Sequence, residues 1–270
     1  MRCFKIAFGL VALAIASGCQ TLTGASVTTL ADGQSGTISF PATQGSYVTG
    51  DLDFPDETST TVPAIIMVHG SGGKGFRQDQ WGSFLRKNGF ATFSMDYFSP
   101  RGVRAPSTRP PSPYFDIIDA QKMLRTHPRI DAERIAAIGW SNGAGMVLAS
   151  VSVDESRAGG PTLQAYIALY PVCQFHSIPY RAGPSARVLV LLGTEDSFTS
   201  VENCTLMMEQ GRSNGHDAEM IVYDGAYHGW DGDYRGSFRY GNFGTVTIIP
   251  DSAVTACSRQ DVIEFLAPML

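Results

Sequence analysis

The stretch IAAIGWSNGAGMVLASV, residues 135–151, decides the fold of this 270-residue chain. A short apolar run predicts a buried strand, GWSNG at residues 139–143 predicts a sharp turn, and a second apolar run predicts a helix. A Gly-x-Ser-x-Gly turn between strand and helix exposes its serine above the sheet, and glycines flank it because side chains there would collide with neighbouring elements. The helix that follows adds free N–H groups and a positive dipole end. We therefore predict that Ser141 is a nucleophile.

A second match to the same pattern, GRSNG at residues 211–215, lies in a different context. It follows a predicted helix, Gly211 is typical of a helix C-cap, and no helix comes next. The pattern therefore predicts that Ser213 lies in a loop between a helix and a strand.

Strand and helix patterns alternate along most of the chain. Apolar runs predict strands over residues 63–68, 90–95, 134–139, 164–170, 187–192 and 220–223, and helical spacing predicts helices over 78–87, 114–126, 143–153, 201–210 and 260–266. This alternation predicts an α/β fold, with a mostly parallel sheet covered by helices on both faces. Functional side chains should then follow the carboxyl ends of the strands.

A nucleophilic serine needs a base, and the base needs a carboxylate that orients it. In this kind of fold the expected chain order is serine, acid, histidine. Asp196 follows the strand predicted over residues 187–192, and His228 follows the last predicted strand. We predict these two residues as acid and base, with Glu195 as the alternative acid.

An oxyanion hole requires two backbone N–H groups aimed at the developing negative charge. The first is expected from Asn142, the residue after the serine. The second is expected from the glycine-rich loop HGSGG, residues 69–73, which follows a predicted strand. Glycine lets this backbone approach a ligand closely.

Five motifs together resemble the α/β-hydrolase fold and, more narrowly, the dienelactone hydrolase family. They are HGSGG at 69–73, DYFSPRG at 96–102, GWSNG at 139–143, GTED at 193–196 and DGAYH at 224–228, and the resemblance covers residues 62–266. It implies Ser141 as nucleophile, Asp196 as acid and His228 as base, with oxyanion N–H groups from Ser71 and Asn142.

The founding dienelactone hydrolases use a cysteine nucleophile, whereas this chain has Ser141. We therefore expect a serine hydrolase that cleaves carboxylic esters or lactones through an acyl-enzyme intermediate, rather than a hydrolase of dienelactone itself. The alternatives are an acyltransferase or peptidase that uses the same three residues, and a lipid-anchored binding protein without catalysis.

Substrate contacts are poorly specified by the sequence. Arg101 lies in a long segment after a predicted strand and could pair with a substrate carboxylate. Trp140 and Trp230 are candidates for the acyl side of the pocket. The alternatives are a surface loop with a solvated arginine, and two tryptophans that belong to the core.

The N-terminus has the pattern of a lipoprotein-like signal peptide over residues 1–18. It has a basic start and an apolar stretch over residues 6–16 that is too short to span a bilayer as a helix. ASGC at residues 16–19 resembles the bacterial lipobox, which makes Cys19 the candidate lipidation site, and Gln20 favours the outer membrane. Ordinary cleavage after Ala16, giving a soluble periplasmic or secreted protein, is the alternative.

Residues 19–36 are predicted to be a flexible tether, and residues 37–270 the hydrolase domain. Three cysteines remain after Cys3 is removed with the signal peptide and Cys19 is lipidated. In an oxidising compartment two of these three are expected to pair. We favour Cys173 with Cys204, which leaves Cys257 free.

Composition limits the partners. The chain has 20 Lys and Arg against 25 Asp and Glu, and loss of Arg2 and Lys5 with the signal peptide changes the net charge from −5 to 18 − 25 = −7. This acidity argues against nucleic-acid binding. We expect a small-molecule ester or lactone as substrate, no cofactor or metal, and membrane contact only through the lipid anchor, and the oligomeric state stays open.

Overall fold

The computed structural model describes residues 27–56, 61–153, 163–173, 186–240 and 244–270, which form ten strands and five α-helices. The strands are β1 (Gly36–Pro41), β2 (Tyr47–Asp53), β3 (Val62–Val68), β4 (Ala91–Asp96), β5 (Ile130–Trp140), β6 (Ala165–Leu169), β7 (Arg187–Gly193), β8 (Asp217–Tyr223), β9 (Gly236–Arg239) and β10 (Thr245–Ile248). The helices are α1 (Phe76–Lys87), α2 (Tyr114–Leu124), α3 (Asn142–Val153), α4 (Val201–Ser213) and α5 (Ser252–Leu266).

Eight of these strands form one sheet in the order β1-β2-β4-β3-β5-β6-β7-β8. The pairs from β4 through β3 to β8 are parallel, and the pairs β1–β2 and β2–β4 are antiparallel. The predicted α/β architecture with a mostly parallel sheet is confirmed. The carboxyl ends of β3, β5, β6 and β7 therefore meet at one edge, which is where the candidate site lies.

The central strand β3 shows why the sheet is covered on both faces. All seven of its residues are buried. Ile66 and Val68 pack into one hydrophobic cluster, whereas Ile65 and Met67 pack into a second cluster on the opposite face. Because successive side chains of a strand point to opposite faces, a continuous apolar run needs this two-sided cover.

The N-terminal strands β1 and β2 were not predicted. They pair antiparallel at the edge of the sheet, and their residues alternate between buried and more exposed positions, so the sequence shows no continuous apolar run. Leu30 was predicted to belong to the flexible tether, and this is wrong. It is 2% exposed, and its N–H donates a 2.9 Å hydrogen bond to Oγ1 of Thr126, so the chain is packed against the domain before β1 begins.

The closing helix α5 is longer than predicted. It begins at Ser252 because the Asp251 carboxylate accepts hydrogen bonds from the N–H groups of Ala253 (2.9 Å) and Val254 (3.0 Å). The sequence signal for this start was the aspartate itself. The hairpin of β9 and β10, which lies between His228 and α5, was also missed.

A disulfide joins Cys173 to Cys204, the pairing favoured from the sequence, and Cys257 is exposed and free. The predicted signal peptide, the candidate lipidation site Cys19 and tether residues 20–26 lie outside the described residues. Among the helices that are described, none combines the length and apolar character needed to cross a membrane.

Candidate active site

Ser141 lies on the sharp turn between β5 and α3, as predicted. Its φ is +52°, a left-handed conformation that is uncommon for a residue with a side chain. Its N–H donates a 3.0 Å hydrogen bond to the carbonyl of Leu169 at the end of β6, which holds the turn against the sheet. By contrast, Ser213 is the exposed last residue of α4, so the prediction that it lies in a loop with Gly211 as the helix C-cap is wrong: the helix continues past Gly211, and Asn214 is its C-cap. No helix follows Ser213 directly, so the second Gly-x-Ser-x-Gly match is not a turn from strand to helix.

The glycines on each side of Ser141 are required by close backbone contacts. A Cβ on Gly139 would collide with the backbone of Gly143 and Ala144. A Cβ on Gly143 would collide with the carbonyl oxygens of Val68 and His69. Helix α3 therefore begins directly against the end of β3, and neither Gly139 nor Gly143 leaves room for a side chain.

The structure brings Ser141, His228 and Asp196 together. His228 Nε2 lies 3.0 Å from Ser141 Oγ, and its Nδ1 lies 2.8 Å from Asp196 Oδ2. Because a carboxylate can only accept, we assign the proton of the neutral imidazole to Nδ1, which leaves Nε2 to accept the serine hydroxyl proton. His228 is 6% exposed, and its contact with Asp196 is buried, whereas its contact with Ser141 is only partly buried.

Asp196 is fixed by the turn that follows β7. Its Oδ1 accepts hydrogen bonds from the N–H groups of Phe198 (2.8 Å) and Thr199 (3.2 Å), and its Oδ2 faces the imidazole. The alternative acid Glu195 is exposed, and its backbone N–H donates to the carbonyl of Ala226. The carboxylate that the structure presents to the histidine is therefore that of Asp196.

Asn142 and the loop 69–73 both lie next to the serine. Asn142 is the first residue of α3, where the N–H groups have no partner within the helix. The loop 69–73 forms a turn closed by the Gly73 N–H and the Gly70 carbonyl at 3.0 Å, which does not use the N–H of Ser71. Gly70 lies so close to Ser141 that an added Cβ would be 3.3 Å from the serine Cβ. The arrangement suits the two predicted oxyanion donors.

Tyr97 connects His69, at the start of the loop 69–73, to the side chain of Asn142, and it was not predicted. Its hydroxyl donates to the carbonyl of His69 at 2.8 Å and accepts from Nδ2 of Asn142 at 3.2 Å. Its ring stacks on the His69 ring with a centroid distance of 4.0 Å. Burial raises the pKa of Tyr97 well above its ordinary value, so the hydroxyl keeps its proton and remains a donor.

The carboxylate of Asp96 lies next to His69 of the same loop. Burial raises the pKa of its carboxyl, but the nearby His69 imidazole and the hydrogen bonds from Ser99 and Phe98 lower it by more, so that the pKa lies well below the usual range. His69 Nε2 lies 3.9 Å from Asp96 Oδ1, and the N–H groups of Phe98 and Ser99 donate to that oxygen at 3.0 and 2.9 Å. The carboxylate is therefore charged and fixed at neutral pH.

A buried carboxylate just after the base, Asp231, was also missed. It is 4% exposed and accepts four hydrogen bonds of 2.6–2.9 Å, from Arg77 Nε, Trp81 Nε1, Trp140 Nε1 and Tyr170 OH. Tyr170 in turn packs edge-on against His228 at 4.7 Å. We call these five residues the Asp231 network. No sequence pattern marks it, because its members are 61 to 154 residues from Asp231 in the chain.

The tryptophans proposed as substrate contacts belong to the core, which corrects that prediction. Trp140 and Trp230 are both 0% exposed. Trp140 donates to Asp231, and Trp230 Nε1 donates to Ser258 Oγ at 3.3 Å. Both rings pack in the hydrophobic cluster that includes Ile65.

Arg101 is committed to a structural ion pair, so its predicted contact with a substrate carboxylate is also wrong. Its guanidinium contacts both carboxylate oxygens of Asp116, at 2.8 and 2.9 Å, and donates to the carbonyl of Tyr97 at 3.1 Å. The Asp116 side chain is 1% exposed. A buried carboxylate left without its partner would be strongly unfavourable, so this arginine is held in place.

Across the part of the chain that the structure describes, no group of three or more His, Cys, Asp or Glu residues is placed to hold a metal ion. The groups that meet at this edge of the sheet are a hydrogen-bonded serine, histidine and aspartate.

Comparison with known proteins assigns the family. The model of the dienelactone hydrolase family matches residues 105–270, which is more than half of the chain and includes all three of these residues. No curated protein matches the sequence.

Solved structures share the fold at low sequence identity. One is a protein from Klebsiella pneumoniae subsp. pneumoniae that is provisionally named a dienelactone hydrolase, with 18% identity, a TM-score of 0.65, and 87% of this chain and 98% of that chain covered. Another is a dienelactone hydrolase-like promiscuous phosphotriesterase from metagenomic libraries, with 19% identity, a TM-score of 0.64, and coverage of 86% and 98%. A third is esterase 2 of Thermogutta terrifontis phosphorylated by paraoxon, with 16% identity, a TM-score of 0.58, and coverage of 82% and 89%.

The sheet order, the helices on both faces and these likenesses are those of the α/β-hydrolase fold. The family match extends the conclusion from fold to general activity, which is hydrolysis. This chain belongs to the dienelactone hydrolase family.

Proposed function

We propose that this protein is a serine hydrolase that cleaves carboxylic esters or lactones through an acyl-enzyme intermediate. The observation that carries the proposal is the position of His228, whose two ring nitrogens lie 3.0 Å from Ser141 Oγ and 2.8 Å from Asp196 Oδ2. A serine hydroxyl is a weak nucleophile until a base takes its proton, and this histidine is held where it can do so.

Acylation follows from this geometry. Ser141 Oγ attacks the ester carbonyl carbon while its proton moves to Nε2 of His228. Asp196 stabilises the imidazolium that forms and keeps Nδ1 protonated. Collapse of the tetrahedral intermediate breaks the bond to the leaving alkoxide, which takes the proton from Nε2 and departs as an alcohol. In a lactone, that hydroxyl remains attached to the acyl group.

Deacylation repeats these steps with water as the nucleophile. His228 takes a proton from the water as it attacks the acyl carbon, and returns that proton to Ser141 Oγ when the acid leaves. In both halves the N–H groups of Ser71 and Asn142 face the negative oxygen. Loss of one such donor typically raises the barrier by about 2.7–4 kcal/mol.

The test is hydrolysis of short-chain p-nitrophenyl esters and of lactones by the wild type, by Ser141→Ala and by Ser213→Ala. Ser213 is the matched control because it lies in the same Gly-x-Ser-x-Gly pattern at the exposed end of α4. We expect Ser141→Ala to abolish turnover and labelling by a fluorophosphonate probe, and Ser213→Ala to retain both. Turnover by Ser141→Ala equal to that of the wild type would remove the nucleophile assignment.

The same experiment separates the other uses of this site. Addition of a small alcohol to the ester assay yields a new ester only if the acyl-enzyme transfers its acyl group to acceptors other than water. Peptide cleavage would identify a peptidase. A folded wild type that neither turns over an ester or lactone nor reacts with the probe would instead favour a binding protein.

We propose in addition that the protein is exported and held at the outer membrane by a lipid on Cys19. The residues concerned are not described by the structure, and the support comes from the signal-like sequence and from the Cys173–Cys204 disulfide, a bond typical of oxidising compartments. In a bacterial host, Cys19→Ser should move the protein from the membrane fraction to the soluble periplasmic fraction. An unchanged distribution would contradict lipidation.

A further inference from the structure

The hairpin of β9 and β10 is attached to the loops that carry the acid and the base. Ser197, next to Asp196, donates from its hydroxyl to the carbonyl of Thr245 on β10 at 3.0 Å. His228 forms a parallel β-bridge with Ile248 at the end of β10. The hairpin therefore has a fixed position relative to the candidate active site.

Tyr240 follows β9 and lies between Phe198, which contacts His228, and Ser71 in the loop 69–73. Its N–H donates to the carbonyl of Gly244 at 2.9 Å, which keeps the residue in the hairpin. On one side its ring contacts Phe198 edge-on at 5.1 Å, and Phe198 contacts the His228 ring in the same way at 5.2 Å. On the other side its hydroxyl lies 3.4 Å from Oγ of Ser71.

These contacts place a phenol hydroxyl beside Ser71, whose backbone N–H is the second oxyanion donor of the proposed function. The distance of 3.4 Å to Ser71 Oγ is longer than the 2.5–3.0 Å that is usual for hydrogen bonds between hydroxyl groups. Such long contacts in free enzymes often tighten only when the transition state supplies a charged acceptor. Hydrogen bonds to an ionised acceptor are shorter and roughly twice as strong as neutral ones.

We propose that the Tyr240 hydroxyl is a third oxyanion donor, which leaves Ser71 Oγ and donates to the negative oxygen of each tetrahedral intermediate. This inference rests on the proposed function, since it requires an acyl-enzyme on Ser141. No proton is transferred, because the phenol donates a hydrogen bond and keeps its proton. The contact exists only when the carbonyl oxygen carries charge, so it lowers the barrier without improving the binding of the ester.

The test compares Tyr240→Phe with the wild type on a p-nitrophenyl ester, with Tyr234→Phe as the matched control on the same segment. Tyr234 is 53% exposed and no part of the site. We expect Tyr240→Phe to lower kcat by about tenfold or more with KM within about twofold of the wild type. Inhibition by a trifluoromethyl ketone, which forms a charged tetrahedral adduct with the serine, should weaken by a similar factor. Tyr234→Phe should change neither quantity.

Two further measurements keep the result specific. The aromatic ring at position 240 still packs on Phe198 in Tyr240→Phe, so the melting temperature of this variant should match that of the wild type. The loss of kcat should also persist when Tyr240→Phe is combined with Ser71→Ala, because the phenol does not act through Ser71 Oγ. The inference would be overturned by an unchanged kcat, by a change in KM alone, or by loss of the kcat effect in the Ser71→Ala background. In each of these cases, turnover by the wild type would leave the proposed function intact. A wild type without turnover or probe labelling would overturn both.

Discussion

Asp231 Oδ2 lies 2.8 Å from Nε1 of Trp140, and this one hydrogen bond joins the loop of the candidate base to the strand of the candidate nucleophile. Asp231 follows His228 by three residues, and Trp140 directly precedes Ser141. The other three donors of the Asp231 network come from α1 and from the end of β6. A charge buried this deeply is stable only when its hydrogen-bonding capacity is satisfied, as it is here.

Asp231→Asn should lower the free energy of unfolding by about 3–5 kcal/mol, because it removes the charge that compensates Arg77 and presents an amide N–H₂ to other donors. Chemical denaturation with urea measures this quantity. Asp233→Asn is the control, since Asp233 is exposed two residues further on and its substitution should stay within about 0.5 kcal/mol of the wild type. Equal midpoints for the two variants would contradict the role assigned to the network.

The sequence predicted the parts of the site that depend on local pattern and chain order. Ser141, Asp196 and His228 each follow an apolar strand, and parallel strands bring their carboxyl ends to one edge. Tyr97 and Asp231 were missed because their importance comes from partners far away in the chain, which leave no local signal.

The predictions that Trp140 and Arg101 contact the substrate were wrong because of the direction of their side chains, not because of their positions in the chain. Trp140 is next to the serine in sequence, but it is the last residue of β5 and lies on the same face as Ala136 and Ile138, so its ring enters the core. Arg101 follows a strand end as expected, yet the buried carboxylate of Asp116 lies within its reach. The edge strands β1 and β2 alternate in burial and lack the long apolar run that identified the central strands.

Gly143→Ala should destabilise the protein by about 1–3 kcal/mol and sharply reduce fluorophosphonate labelling of Ser141, because the new Cβ would overlap the carbonyl oxygens of Val68 and His69. Backbone atoms at the end of β3 cannot move aside as a flexible side chain could. Gly72→Ala is the stability control, since a Cβ there meets nothing within 4 Å. Thermal unfolding and the labelling rate are the measurements, and a Gly143→Ala variant as stable as Gly72→Ala would contradict the packing described.

Removal of the disulfide should lower the free energy of unfolding by about 3–4 kcal/mol, since Cys173 and Cys204 are 31 residues apart and the bond restricts the unfolded chain. The double variant Cys173→Ala with Cys204→Ala tests this by denaturation under non-reducing conditions. Cys257→Ser is the control, because that cysteine is free and exposed. A loss of stability in the control as large as that in the double variant would argue against the assigned pairing.

Asp96 makes the contribution of the loop 69–73 to stability sensitive to acid. Burial raises its pKa, but the nearby His69 imidazole and the hydrogen bonds from Ser99 and Phe98 outweigh burial and hold the pKa below that of the unfolded chain, which is about 3.9. A carboxyl with a lowered folded-state pKa stabilises the fold fully above the unfolded-state value, and this contribution is lost as the pH falls through the folded-state value. Urea denaturation of wild type and Asp96→Asn over a series of pH values should therefore show a difference in unfolding free energy that is constant near neutrality and shrinks below about pH 4. A difference that stays constant across the acid range would mean that Asp96 is not held as a charged partner of the His69 loop.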